Sequence, residues 1–484
     1  MPIEVEISPL SLERFRSILP ADRFDALEHG VSQAQDLLRA RVVWNVNSTA
    51  RGGGVVELLN PLVAYARGAG VDARWVVIDG TPEFFAVTKR IHNHLHGAEG
   101  DGGQLCADAR HVYEQVLARN ASELKRRIEP GDIVILHDPQ TAGLVQACRA
   151  AGAAVIWRCH VGIDHPNELA REAWEFLRPY LADAQVYVFS RASFAWEGLD
   201  RDRIVVIPPS IDAFAPKNQD LDPATVRAVL AASGLVPDAS APEPATFRRQ
   251  DGTPGRIERR AEVVEDVPVG PDTPLVVQVS RWDALKDPLG VIRGFAEHVP
   301  PGTGAHLVYA GPAVAAVTDD PEGARVLRAA IELRERLPRE ARGRVHLATL
   351  PMEDMEENAV IVNALQRHAR VVVQKSLAEG FGLTVAEAMW KARPVVASRI
   401  GGIQDQIVHG DSGVLLDDPH DLAAYGAAVA GLLDQPDLAR RMGERARERV
   451  RDRFLSVRTL LDYLEVIRSA LDRVHAPSVH RSHA

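Results

Sequence analysis

The chain has 484 residues, 46% of them hydrophobic and 25% charged, with a formal net charge of −10. That length suits two α/β domains plus extensions, and the acidic balance excludes the basic surface that non-specific nucleic-acid binding needs. Three cysteines, Cys106, Cys148 and Cys159, cannot all pair and have no metal-ligand spacing, which fits a reducing compartment.

The first residues lack the basic-then-apolar layout of a signal peptide. No stretch reaches the roughly 18 apolar residues of a membrane helix. A cytoplasmic protein without a membrane partner is expected. Residues 1–40 read as helical extensions. Apolar, β-branched runs then alternate with helical stretches: Arg41 to Val46, Ala73 to Ile78, Ile133 to Leu136, Ala154 to Trp157, Val186 to Phe189 and Ile204 to Ile207. Short, nearly continuous apolar strands separated by helices predict a parallel sheet covered on both faces. A second series runs Leu275 to Val279, Ala305 to Tyr309, Val345 to Leu347, Val371 to Gln374 and Pro394 to Ala397.

The expected division is an N-terminal α/β domain over 1–212 and a connection with a polar, Arg-rich insertion over 213–270. A second α/β domain over 271–453 follows, then a helix crossing back and a tail over 454–484. The insertion holds one predicted helix, Pro223 to Ser233. The three histidines of the tail, His475, His480 and His483, read as a solvated end rather than a metal site. The fold class is α/β: two facing, doubly wound Rossmann-like domains with a cleft between them. Ligands of such sheets bind beyond the carboxyl ends of the strands, so chemistry is sought in the loops there.

Three such loops carry candidates. After the first strand comes Arg51-Gly52-Gly53-Gly54, leading into a segment with helical apolar spacing. Its amides, Gly53 and Gly54 among them, suit a phosphate, although a plain tight turn explains the same residues equally well. Pro61 should kink that helix. After Val279 comes Ser280-Arg281-Trp282-Asp283-Ala284-Leu285-Lys286. Arg281 and Lys286 on one strand-to-helix loop can converge on a polyanion, the guanidinium as a fork and the ammonium as a point charge. The third loop is the most specific: Glu379-Gly380-Phe381-Gly382-Leu383-Thr384-Val385-Ala386-Glu387. Glycines open the backbone ahead of a helix predicted to start near Thr384. Amides at Gly382, Leu383 and Thr384 can hold phosphate, while Glu379 and Glu387 can accept hydrogen bonds from sugar and ribose hydroxyls.

The stretch Glu379 to Glu387 resembles the paired-glutamate motif of the family 4 retaining glycosyltransferases. The Arg281/Lys286 loop looks like that family's diphosphate-binding pair, and the glycine loop like its counterpart in the first domain. That resemblance implies the GT-B fold, with the nucleotide held mainly by the second domain. Within the family the chain is similar to glycosyltransferring trehalose synthases. The stretches that carry this are Trp44 to Thr49, Glu83 to Lys89 with His92 and Asn93, His137 to Gln140, Trp157 to His160, Phe381 to Lys391, and the Arg-rich insertion with Asp251 to Gly255.

The resemblance implies retaining transfer of glucose from UDP-, ADP- or GDP-glucose to free glucose, giving α,α-trehalose, in either direction. Arg281 and Lys286 would stabilise the leaving diphosphate, Glu379 would hold the donor glucose and Glu387 the ribose. His160 would face the sugar, and Asp138, His160 and Asp164 would bind the acceptor. No cofactor is required and no metal site is expected, Mg2+ being at most a stimulant. A homodimer is the default assembly. Two alternatives stay open: transfer to another small acceptor such as a sugar phosphate, which Arg158 would favour, and a sugar-nucleotide epimerase on the same fold.

Overall fold

The computed structural model describes residues 2–50, 54–241, 244–314 and 321–475. The chain divides into two compact units, Met1–Ser210 with Ser456–Ala484, and Ile211–Leu455.

The first unit is built on a seven-stranded sheet. Its strands are β1 (Ile3–Val5), β2 (Val43–Asn47), β3 (Ala73–Val77), β4 (Ile133–His137), β5 (Ala154–Cys159), β6 (Val186–Phe189) and β7 (Ile204–Val206). Their order is β1-β3-β2-β4-β5-β6-β7, parallel except for β1. The near-continuous apolar runs make sense because both faces are covered. Along β4, Ile133 and Ile135 enter one core and Val134 and Leu136 the other, as the two-residue period of a strand requires. The helix Ser456–His475 closes the second face with Tyr463, Val466, Ile467, Ala470 and Leu471.

One expectation needs correction. Residues 1–40 are not purely helical: β1 pairs antiparallel with β3, Ile3 opposite Val77. A three-residue edge strand is too short to show a period, and main-chain pairing at a sheet edge decides it. The helix Gly54–Gly68 runs through Pro61. Proline inside a helix costs about 3 kcal/mol. The burial of Val56, Leu59, Val63 and Tyr65 on the same helix, at about 1.5–3 kcal/mol per large side chain, outweighs it.

The second unit carries another seven-stranded sheet and a small hairpin. The hairpin pairs β8 (Thr246–Arg248) with β9 (Pro254–Arg256). The sheet strands are β10 (Glu262–Val264), β11 (Leu275–Val279), β12 (His306–Pro312), β13 (Val345–Leu350), β14 (Val371–Gln374), β15 (Val395–Ser398) and β16 (Val414–Leu416). They are ordered β10-β13-β12-β11-β14-β15-β16, with β10 alone antiparallel. The stretch 213–270 is thus built into this unit. After the helix Pro223–Ala232 and the hairpin, β10 joins the sheet itself. Acidic residues around the start of the helix Met355–His368 hold it in place. Arg249 bonds Asp354 and Glu356, and the buried Glu357 carboxylate accepts from the amides of Glu258 and Arg259 at 2.7 Å each.

Each sheet has a point where the winding direction reverses. It lies between β2 and β4 in the first unit and between β11 and β14 in the second, and there the outgoing loops leave a crevice. Among the described residues no helix is long and apolar enough to cross a membrane.

Candidate active site

In the second unit the loops leaving β11 and β14 flank the switch point and bring two of the sequence candidates together. Lys286 Nζ donates to Glu379 Oε2 at 2.6 Å, the two side chains being 16% and 12% exposed. The scaffold beneath them is polar and satisfied. Gln278 at the end of β11 donates to the Lys286 carbonyl at 2.9 Å and accepts from the Lys375 amide at 3.1 Å. Gln374, ending β14, donates to Ser280 and Ser376 hydroxyls and accepts from Thr384 Oγ1 at 3.0 Å. The fully buried Lys375 ammonium pairs with Asp287, which sits at φ 50° and caps the helix Pro288–His298 through the Gly290 amide at 2.9 Å. A left-handed backbone at a non-glycine residue is costly, and this ion pair and cap hold it there.

Arg281 stands apart. Its guanidinium is two-thirds exposed and bonded to Asp283 at 2.9 Å. Gly382, at φ 78°, caps the helix Leu383–Trp390, so Leu383 and Thr384 lie in its first turn. Gly401 meets this loop so closely that a Cβ there would lie 1.8 Å from the Glu379 carbonyl oxygen. Glu387 is buried within that helix, and its Oε1 lies 3.5 Å from Lys217 Nζ. Below it Lys391 is also buried, bonded to Asn218, Gln366 and the Glu387 carbonyl. Burial lowers its pKa to about 7, against the raising effect of Glu387.

In the first unit the candidates lie at the ends of β4 and β5. Asp138 has φ 65°, and its Oδ1 accepts from the His160 amide at 2.7 Å. Burial raises its carboxyl to about 7 although that amide lowers it. His160 stacks on His137, the rings 5.5 Å apart, with its Nε2 3.2 Å from His137 Nδ1. His137 Nε2 in turn lies 3.2 Å from Asn45 Oδ1 on β2. Burial, aided by the Arg158 charge, lowers His137 to about 3 and His160 well below its usual value, so both rings are neutral. A carbonyl oxygen can only accept. The chain therefore runs in one direction: His137 donates to Asn45, His160 donates to His137, and His160 Nδ1 keeps its lone pair. That Nδ1 is buried without a hydrogen-bond partner among the described residues. His160 also borders a cavity of about 20 Å³ with Arg158, Ser210, Ser456 and Tyr463. A second cavity of this unit, about 80 Å³, is walled mainly by aliphatic side chains such as Leu27, Val31 and Leu461.

Arg158 is turned inward and buried, bonding Ser190 and the carbonyl of Ile207 at 2.7 Å, so it braces the sheet end. Asp164 is paired with Arg191 and accepts from Ser193 Oγ at 2.8 Å. Gly54 is the first residue of its helix, while Gly53 lies outside the described residues. Sequence reasoning missed Asn45, His137, Lys217 and Lys375. For His137 a signal existed: it is the last residue of an apolar strand, directly before a candidate aspartate. Among the described residues no group of three or more His, Cys, Asp or Glu side chains is arranged to hold a metal ion.

Comparison with known proteins places this geometry in context. Residues 45–196 match the family profile "Trehalose synthase, N-terminal domain", and residues 355–449 match "Glycosyl transferases group 1". The chain is 35% identical to a trehalose synthase of Rubrobacter xylanophilus over 463 residues, covering 95% of this chain and 97% of that protein. It is 32% identical to a trehalose synthase of Pyrococcus horikoshii, covering 95% and 96%. Among solved structures, an α,α-trehalose-phosphate synthase from Burkholderia xenovorans superposes with a TM-score of 0.63 at 15% identity, covering 88% of this chain and all of that one. That last likeness concerns the fold alone, GT-B.

Proposed function

The chain belongs to the trehalose synthase family of group 1 glycosyltransferases, and we propose that it is a retaining glucosyltransferase making α,α-trehalose from a nucleoside diphosphate glucose and free D-glucose. The observation that carries the reading is the meeting of Lys286 and Glu379 at the switch point of the second sheet. A cation for a diphosphate and an acceptor for sugar hydroxyls stand side by side where such sheets bind ligands.

Donor and product are both α-glycosides, so configuration is retained. The bond from the glucosyl C1 to the diphosphate oxygen breaks, and a bond from C1 to the acceptor hydroxyl oxygen forms on the same face. The acceptor's proton passes to the departing phosphate oxygen. The largest demand is stabilisation of charge on that diphosphate. Lys286 supplies it, with Arg281 and the amides of Leu383 and Thr384. Glu379 holds the donor glucose and Glu387 the ribose. In the first unit Asp138 and His160 meet the neutral acceptor, and Asp164 with Arg191 shapes the loop after β5. The inward turn of Arg158, bonded to the Ile207 carbonyl, takes that guanidinium away from an acceptor phosphate and supports a free sugar over a phosphorylated one.

A matrix of UDP-, ADP- and GDP-glucose against glucose and glucose 6-phosphate, with products identified by NMR, tests the proposal. It expects trehalose from glucose with at least one donor. Product only from glucose 6-phosphate, or conversion of the donor without any acceptor, would overturn it.

A further inference from the structure

The Lys286–Glu379 bond joins two groups that, on the reading above, serve different parts of one donor molecule. In the second unit they bond each other, at 2.6 Å and largely out of solvent. Beside the lysine, Glu379 Oε2 has Ser376 Oγ at 3.5 Å, a long contact to a hydroxyl already bonded by Gln374 at 3.0 Å. Separating such a pair one-sidedly is unfavourable, because the abandoned charge stays desolvated and uncompensated. A bare nucleoside diphosphate would take Lys286 and strand Glu379. A nucleoside diphosphate glucose would give the ammonium its phosphate oxygens and the carboxylate its sugar hydroxyls.

We propose that the Lys286–Glu379 pair is a specificity lock. The site distinguishes the glucosyl ester from the bare diphosphate by requiring a ligand that satisfies both halves of a pre-formed ion pair. Once the glucosyl group has left with the acceptor, the pair re-forms and displaces the spent diphosphate. The inference rests on the proposed function and adds how that site tells substrate from product. It is a statement about sign: the carboxylate should favour the sugar ester and disfavour the diphosphate, and the second effect should act through Lys286.

Calorimetric titration of UDP, ADP and GDP and their glucose esters, with ligand-observed NMR for weak binding, tests this on four proteins. They are the wild type, Glu379→Gln, Lys286→Ala and the double variant, each shown to melt in one cooperative transition well above the titration temperature. Glu379→Gln should bind the preferred diphosphate about tenfold more tightly and its glucose ester about tenfold more weakly, as for loss of one charge-assisted contact. In the Lys286→Ala background the same change should leave diphosphate affinity within about twofold. Two results overturn the lock while leaving the function intact. One is a Glu379→Gln variant that gains no diphosphate affinity. The other is a gain that persists undiminished without Lys286, which would mean simple repulsion between carboxylate and phosphate. If the wild type binds none of the six ligands, the nucleotide-sugar reading fails and the lock with it.

Discussion

The ends of β4 and β5, beside the switch point of the first sheet, and the ends of β11 and β14, at the switch point of the second, are built in opposite ways. At the second, full charges face each other: Lys286 on Glu379, Lys375 on Asp287, Lys217 near Glu387. At the first, burial beside the Arg158 guanidinium holds two histidines neutral in a one-way chain and raises a carboxyl to about 7. Fixed charge suits a diphosphate, whose interaction energy is large and mainly electrostatic. Neutral, oriented donors and acceptors suit sugar hydroxyls, which would gain little from a charge that water must first be stripped from. One chain thus offers two polar surfaces of different kind, and each can be broken separately.

The largest effect should come from the charged end. Lys286→Ala should lower kcat at saturating donor by about a hundredfold or more, as for loss of one strong stabilising donor. Steady-state kinetics checks this, and a near-normal kcat would remove Lys286 from the chemistry. The two glutamates sharpen the point. Glu387→Gln should chiefly raise the donor KM, by about tenfold, since ribose contacts change little during reaction. Glu379→Gln should also lower kcat, because the glucosyl ring changes shape and charge. Identical defects in both variants would merge their roles.

The neutral end should respond first in stability. His137→Phe keeps the ring volume but leaves Asn45 Oδ1 and His160 Nε2 without the partner each now has. Stranding buried polar atoms costs about 1–3 kcal/mol each, so for these two atoms denaturant titration should show a loss of about 2–6 kcal/mol, with donor KM little changed. A loss of donor binding instead would tie this chain to the diphosphate.

How much of this was legible follows from the physics of each element. The parallel strands other than β16 were, because burial on both faces leaves an apolar run such as Val371 to Val373 with nothing to alternate. So was the loop from Glu379, where glycines and a helix start carry local rules. β1, β10 and β16 were not, being three-residue segments fixed by neighbours remote in sequence. Arg158 kept a sugar-phosphate acceptor open, since nothing local says whether an arginine at a strand end turns outward or back into the sheet. Lys286 and Glu379, 93 positions apart, could be named separately. That they bond each other depends on the β11–β14 adjacency, which no local pattern encodes.

A pH-dependent effect is the most direct probe of desolvation at the first unit's strand ends. Burial raises the Asp138 carboxyl from its ordinary value to about 7. Between about pH 4 and pH 7 the folded chain holds a proton there that the unfolded chain has released. Its contribution is therefore fully present below pH 4 and is lost as pH rises through 7. His137 has the opposite sign. Its pKa is lowered to about 3 by burial, so the unfolded chain takes up the proton first, and stability is lost as pH falls from about 6.5 toward 3. Asp138→Asn keeps an oxygen for the His160 amide, which now donates to Oδ1 at 2.7 Å, and cannot ionise. Relative to wild type it should melt at nearly the same temperature at pH 4 and progressively higher up to about pH 7.5, with no further gain above. The acid-side decline should be the same in both proteins, since the histidines are untouched. A difference between the two that stays constant from pH 4 to pH 8 would mean that Asp138 is ionised in the folded protein, and the contrast between a charged and a neutral end would lose its first-unit half.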